Sequence, residues 1–423
     1  MCDTIAGELL MCFHQTDPAG ASLREMITMN QVSHVRLIED LGGRLARAGL
    51  SMRRGIDFLF YRLEVPVGQE DFKVNYLQFF YKIAMLQALH QGSMNFTTHN
   101  DVLSRSDYHF QVVPHSILSL ATLAAPAGVA FTFAPTHDDY KNKLGLSTAG
   151  AIGDGRKVLI VDSGVDSPSA YGVVDQKNFV DPANPDDATD DNGHGTVVAS
   201  IIHDLCPGAE MVIYKVADQK GRASEWDTLA ALAARSGADV VNISLAFGLP
   251  SWNTATCGRE SQSSRSAVFE AMINQLGDAP DGPLIIAAAG NESRTELSFP
   301  ARYKGVVAIE SVDLSGTLSE FSNHATTDNE GNAHPSVFVL PGGQQPKNAQ
   351  PTEYVGTSAD GTQHCGTSFA AAYASGLIAA LWSEPQHSGK DRTQLLDHLK
   401  SMADKSLPNY DPLIHGNGLM LFA

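Results

Sequence analysis

The sequence predicts an α/β fold over residues 153–423, a mainly parallel sheet flanked by helices, preceded by a smaller, mostly helical α+β domain. Three observations carry that expectation. Short, continuous apolar runs rich in β-branched residues recur from about residue 158, helical patterns separate them, and the first 135 residues have a more helical texture. Strands that read as unbroken apolar runs are buried on both faces, which implies parallel order with helices covering the sheet on both sides.

The elements follow in order. "VLIV" (158–161), "MVIYK" (211–215), "VVNIS" (240–244), "LIIAAA" (284–289) and "VVAIES" (306–311) read as strands. Between them lie three helices: "TVVASIIHDL"; "SEWDTLAALAARSG", with Ser224 and Asp227 as a capping-box-like start and Gly237 as a stop; and "SRSAVFEAMINQLG". In the N-terminal region, "SLREMITMNQVSHVRLIEDLGGRLARAG" sets Val35, Ile38, Leu41 and Leu45 on one helical face. "FKVNYLQFFYKIAMLQALHQG" does the same with Phe79, Ile83 and Leu86, and "IDFLFYRLEV" between them reads as a strand. The apolar stretch "ILSLATLAAPAGVAFTF" (117–133) approaches membrane-spanning length. It contains Pro126 and Gly128 and lacks flanking Lys or Arg, so a buried segment is expected. The division expected is residues 1–135 as an N-terminal domain, 136–152 as a linker and 153–423 as the α/β domain.

Composition excludes some classes of function. A net charge of −18 argues against a nucleic-acid or anionic-membrane partner, while 43% hydrophobic and 18% charged residues are ordinary for a soluble globular chain. The five cysteines, at 2, 12, 206, 257 and 365, have neither metal-ligand spacing nor the density of a disulfide framework. "MCDTIAGELLMCF" carries Asp3 and Glu8 and no basic residue, unlike a signal peptide, so a cytoplasmic location is expected. No cofactor and no metal site are expected. The aspartates of "DPANPDDATDD" do not have EF-hand spacing and read as a solvated acidic turn.

Chemistry concentrates at the expected strand ends, where sheets of this kind place ligands. Asp162 follows the first strand in "VLIVDSGVD", and Asn291 follows "LIIAAAG". His194 sits between two glycines in "DNGHGT". Ser368 opens "SFAAAYASGLIAAL", a helix so rich in alanine and large aliphatics that it must be buried nearly all round. A lone histidine before a core helix more often decorates a turn. Here a serine and a carboxylate supply the nucleophile and the orienting group that would make it a general base. The Asn291 amide and the Ser368 backbone N–H, at a helix N-terminus, supply donors for a tetrahedral oxyanion.

In "DSGVD", "NGHGT", "AAAGNE" and "GTSFAAA", in that order, the chain resembles the subtilisin-like serine proteases, and the resemblance covers roughly 150–423. It implies a serine endopeptidase acting through an acyl-enzyme, with Asp162, His194 and Ser368 as the triad and Asn291 in the oxyanion hole. It also implies an extended polypeptide substrate held by strand addition between Gly221-Arg222-Ala223 and Ser244-Leu245-Ala246-Phe247, with Glu292 at a pocket rim. Phe247 stands where the family has glycine and is expected to narrow a substrate pocket. Phe369 and Ala372 replace the usual methionine and proline of the serine helix, and the loop after the histidine helix is short for the calcium site of secreted relatives. Cys365, three residues before Ser368, is read as a packing residue rather than a reactive thiol.

The N-terminal domain admits two readings: a propeptide removed by self-cleavage near 135–155, or a retained regulatory or adaptor domain that engages a partner protein. The second is favoured. The alternative to an active enzyme is a latent or inactive subtilase-like module that binds peptides under control of that domain. A serine esterase lacks support, because no G-x-S-x-G elbow surrounds Ser368.

Overall fold

The computed structural model describes residues 4–15, 51–54, 58–64, 108–120, 130–146, 152–247, 266–279, 281–325, 327–328 and 331–422. They fall into two compact units, one built from residues up to Ser116 with Ser266–Gln275, the other from Ile117–Arg265 and Leu276–Ala423. The two expected N-terminal helices, 22–49 and 72–92, lie outside the described residues. What is described of the smaller unit's N-terminal part is antiparallel sheet. Strand β1 (Thr4–Gln15) pairs with both β3 (Phe58–Glu64) and β4 (Tyr108–Leu120), and β2 (Ser51–Arg54) pairs with β3. β3 is the strand expected from "IDFLFYRLEV".

In the larger unit, β5 (Phe131–Phe133) and helix α1 (Pro135–Lys143) come first. Seven strands then build one parallel sheet: β6 (Lys157–Asp162), β7 (Val173–Asn178), β8 (Glu210–Lys215), β10 (Val240–Ile243), β12 (Leu284–Ala288), β13 (Val307–Val312) and β14 (Val337–Pro341). Their spatial order is β14-β13-β12-β10-β6-β8-β7, with every pairing parallel. All five strands read from the sequence are in it, each within a residue or so of its expected ends. β7 and β14 were not anticipated, although "VFVL" in β14 is the same kind of apolar run. From β6 the chain builds the sheet in both directions, so the boundary between β6 and β10 is the switch point where a crevice opens.

Helices α2 (His194–Leu205), α3 (Glu225–Ala234), α4 (Ala267–Asp278), α5 (Thr367–Ser383), α6 (Arg392–Met402) and the short α7 (Pro412–His415) complete the main elements. Ser224 caps α3 by accepting the Asp227 N–H at 3.0 Å, as its sequence implies, and Gly237 follows the helix in the left-handed region. Every residue of α5 from Thr367 to Trp382 is buried. It packs on the central strands and against α2, and Gly376 lies against Ile202 and Leu205 of that helix.

Helix α1 runs into the segment 136–152, which the sequence reads as a linker. Tyr140 and Leu144 are fully buried in the core. His137 explains why the helix is anchored: its Nδ1 lies 2.5 Å from the Tyr373 hydroxyl of α5, and its Nε2 lies 2.9 Å from Asp204 of α2. Phe133 stacks on the His137 ring, and Lys141 also reaches Asp204. The His137 hydrogen bond, with help from Lys141, holds the Asp204 carboxyl down at about 2. A hydrophobic spacing count misses this helix because its anchors are polar or aromatic. No helix among the described residues is long and apolar enough to cross a membrane.

Glycine inside a helix ordinarily costs about 1 kcal/mol relative to alanine. At Gly376 a Cβ would meet Leu205 Cβ and Cδ1 at 2.9 Å, tighter than a packed core accepts. Gly376→Ala is therefore expected to lower stability by about 1–3 kcal/mol in urea unfolding, against its helix propensity, and Leu205→Ala in the same chain to shrink that penalty.

Candidate active site

Each candidate side chain is set by a backbone turn at the switch point. Asp162 is the last residue of β6 and is fully buried. Its Oδ1 accepts the backbone N–H and the hydroxyl of Ser163, which fixes the carboxylate, and lies 2.8 Å from His194 Nδ1. The two flanking glycines answer to that geometry. Gly193 adopts φ +93° to start α2, and a Cβ on Gly195 would lie 2.2 Å from the Gly164 carbonyl, so only glycine lets the histidine turn close on the aspartate turn.

Asp190 holds the histidine loop from below. Its Oδ1 accepts the N–H groups of Asn192 and Gly193, and its Oδ2 accepts the N–H and hydroxyl of Thr196. This buried carboxylate was hidden in the sequence among its neighbours, all read together as a solvated turn. Asp181 and Asp187 do fit that reading: each caps its own turn, and Asn184 and Thr189 respectively hold their carboxyls below the usual range. Among the described residues no cluster of His, Cys, Asp and Glu could hold a metal ion.

Ser368 lies in the first turn of α5, fully buried, with its hydroxyl donating to the Ser244 carbonyl at 3.3 Å. His194 Nε2 and Asp162 Oδ2 have no hydrogen-bond partner among the described residues. A buried polar ladder fixes the floor: Ser375 donates to Asn242, Asn242 to Ser244, and the Ser244 hydroxyl to the Ser368 carbonyl. Asn291 is oriented by Thr367, whose N–H and hydroxyl both donate to Asn291 Oδ1, at 3.0 and 2.9 Å. That contact brings the asparagine loop to the helix N-terminus that carries Ser368. Neither Asn242 nor Thr367 had a signal of its own in the sequence.

His364, beside the site, donates or accepts at Ser358 Oγ, 2.7 Å away, and stands edge-on to Phe369, which also lies against the His194 ring. Burial first, and then the nearness of His194, push its pKa down to about 4. It is therefore neutral near pH 7 and sets no like charge against His194.

The two segments expected to receive substrate form short strands, β9 (Arg222–Ser224) and β11 (Leu245–Phe247). The end of β4 lies between them. Ile117, Leu118 and Ser119 pair antiparallel with Ser224, Ala223 and Arg222, and Leu118, Ser119 and Leu120 pair antiparallel with Phe247, Ala246 and Leu245. Leu118 is fully buried there. Gly221 shapes the entry to β9 at φ +71°, and Arg222 is exposed and ion-paired to Asp218. Phe247 is buried, with its N–H on the Phe299 carbonyl. Glu292 is exposed, and its Oε2 accepts from Asn323 at 2.5 Å and from Ser298.

A buried aspartate–histidine pair and a serine in the first turn of a buried helix thus lie on a parallel α/β scaffold. The subtilase family profile matches residues 135–418, and the chain belongs to that family as a subtilisin-type serine endopeptidase. It is 26% identical over 290 residues to the thermostable alkaline protease of Halalkalibacterium halodurans, covering 64% of this chain and 67% of that protein. It is 28% identical over 294 residues to the major intracellular serine protease of Bacillus subtilis, covering 64% and 82%. In fold it resembles the crystal structure of a lanthipeptide protease, with a TM-score of 0.53 at 21% identity, covering 68% of this chain and 93% of that one.

Cys365 is half-buried, and burial pushes its thiol up to about 12. At pH 8 the thiolate that alkylating reagents attack is then scarce. Peptide mapping after iodoacetamide treatment is expected to find Cys365 unmodified in the folded protein and modified after unfolding.

Proposed function

We propose that the chain hydrolyses peptide bonds through an acyl-enzyme, and that its N-terminal region regulates access to the cleft. The observation that carries this reading is the strand Ile117–Leu120 lying antiparallel between β9 and β11. An extended polypeptide held on both edges by main-chain pairing is the substrate geometry that a peptidase cleft needs, and side-chain pockets such as the one burying Leu118 then select sequence.

In the reaction proposed, the Ser368 hydroxyl leaves the Ser244 carbonyl, gives its proton to His194 Nε2 and attacks the scissile carbonyl carbon. Asp162 keeps the imidazole in the tautomer with its proton on Nδ1 and stabilises the imidazolium. The negative charge on the former carbonyl oxygen meets the Ser368 backbone N–H and the Asn291 amide. His194 returns the proton to the departing amine, the acyl-serine forms, and water repeats the sequence to release the acid. Arg222, Ala223, Leu245, Ala246 and Phe247 contribute backbone pairing or pocket walls, Gly221 shapes one edge, and Glu292 braces the asparagine loop.

The same occupied cleft favours a second reading, a latent module whose own strand excludes other peptides until a trigger removes it. The two readings converge if Ile117–Leu120 is the first segment processed. We place the enzyme inside the cell, a reading supported by the thiols of Cys206 and Cys365, free among the described residues. On this reading residues 1–135 meet a regulatory protein, and 153–423 carry the catalysis with α1 as an integral part rather than a linker.

Ser368→Ala and His194→Ala are each expected to lower kcat on an unstructured polypeptide by more than about 10⁴-fold. Retention of wild-type turnover in either variant contradicts the assignment. Self-processing is expected to cut between Leu120 and Phe131, after the strand in the cleft and before the strand that leads into α1. N-terminal sequencing of incubated wild type checks it, with Ser368→Ala remaining intact; a cut at 135–155 would sever α1 from the core and count against this reading.

A further inference from the structure

We infer that Asn323 is a positioning residue for the oxyanion hole, acting through Asn291; the inference rests on the peptidase reading above. Asn323 is fully buried, and its side chain is wrapped by the loop that carries Asn291. Oδ1 accepts the N–H groups of Glu292 and Arg294, both at 3.0 Å. Nδ2 reaches the Ala289 carbonyl at 3.2 Å, Ser298 Oγ at 3.0 Å and Glu292 Oε2 at 2.5 Å. Its own backbone N–H donates to the Gly290 carbonyl, and those of its neighbours extend the contact, since the His324 N–H donates to Arg294 and the Phe321 carbonyl accepts from Ser293.

The carboxamide thus grips the loop on both sides of Asn291, at residue 289 before it and 292 and 294 after it, and the Asn323 backbone N–H adds residue 290. Gly290 is turned to φ +106°, and a Cβ there would lie 2.3 Å from Asn323 Nδ2, so loop and side chain are fitted to each other. Thr367 fixes the Oδ1 end of the Asn291 side chain, and Asn323 fixes the backbone that side chain springs from. An oxyanion donor acts by being held in place before charge develops, so slack in its loop is expected to lower the rate of the chemical step more than substrate affinity. Asn323→Asp would keep the two accepted bonds but lose the three contacts that Nδ2 donates, to Ala289, Ser298 and Glu292, and set a carboxylate against that of Glu292. No apolar or titratable signal in "FSNHA" marks this residue in the sequence.

The test is a double-mutant cycle on the full-length protein, assayed after any self-processing is complete. Asn323→Ala is expected to lower kcat by about 10–100-fold, less than the roughly 10²–10³-fold for outright loss of one oxyanion donor, with KM changed by less than about threefold. In an Asn291→Ala background, Asn323→Ala is expected to lower kcat by no more than about threefold further, because the donor it positions is gone. Asn323→Asp is expected to behave like the alanine variant. Near-wild-type kcat in Asn323→Ala, or the same loss with and without Asn291, overturns the positioning role and leaves the peptidase reading intact. A wild type that cleaves no polypeptide, with its N-terminal region present or proteolytically removed, overturns the peptidase reading and this inference with it.

Discussion

The architecture depends on one constraint, a helix buried on every side whose first turn must remain reachable at the switch point. α5 can be buried so fully because alanine and glycine let it approach α2 and the central strands, and its large aliphatic residues fill the remaining space. Burial along the whole length makes the position of its N-terminus rigid. Ser368 is placed there, and the Thr367 N–H beside it ties the same helix end to the Asn291 side chain.

Around that fixed point the loops are held by polar side chains turned inward. Asp190 gathers the turn before α2, Ser163 and Asp162 lock each other at the end of β6, and Asn323 threads the loop after β12. Apart from Asp162 Oδ2, these buried polar groups are met by backbone and side-chain partners, the condition under which burial of such groups is tolerated. Their common effect is to make the positions of His194 and Asn291 properties of the scaffold rather than of exposed loops. The cleft between β9 and β11 adds an open pair of strand edges, and the chain's own Ile117–Leu120 satisfies them.

What was legible in the sequence follows from these same physics. The five anticipated strands were visible because both of their faces are buried, leaving unbroken apolar runs such as "LIIAAA". α5 was visible because small residues dominate it. Asp162, His194, Asn291 and Ser368 were visible because each sits in a short motif beside glycine or a strand end, where its chemistry has no structural explanation of its own. Asp190 and Asn323 were not, because an aspartate among aspartates and an asparagine in a polar turn acquire meaning only from the backbone groups that surround them. α1 escaped because its hold on the core runs through the His137–Asp204–Tyr373 contacts, between residues far apart in the chain. The placement of Ile117–Leu120 was equally hidden: its apolar character announced burial, but not the two strands that bury it.

We propose that Ser368 is the residue the scaffold activates. The most direct measurement is peptide mapping by mass spectrometry of self-processed protein treated with a fluorophosphonate, which esterifies a serine only where a base and oxyanion donors are assembled. A phosphonyl adduct is expected on Ser368 alone, absent in His194→Ala. An adduct on the neighbouring Ser163 or Ser375, or none on the folded protein, would contradict it.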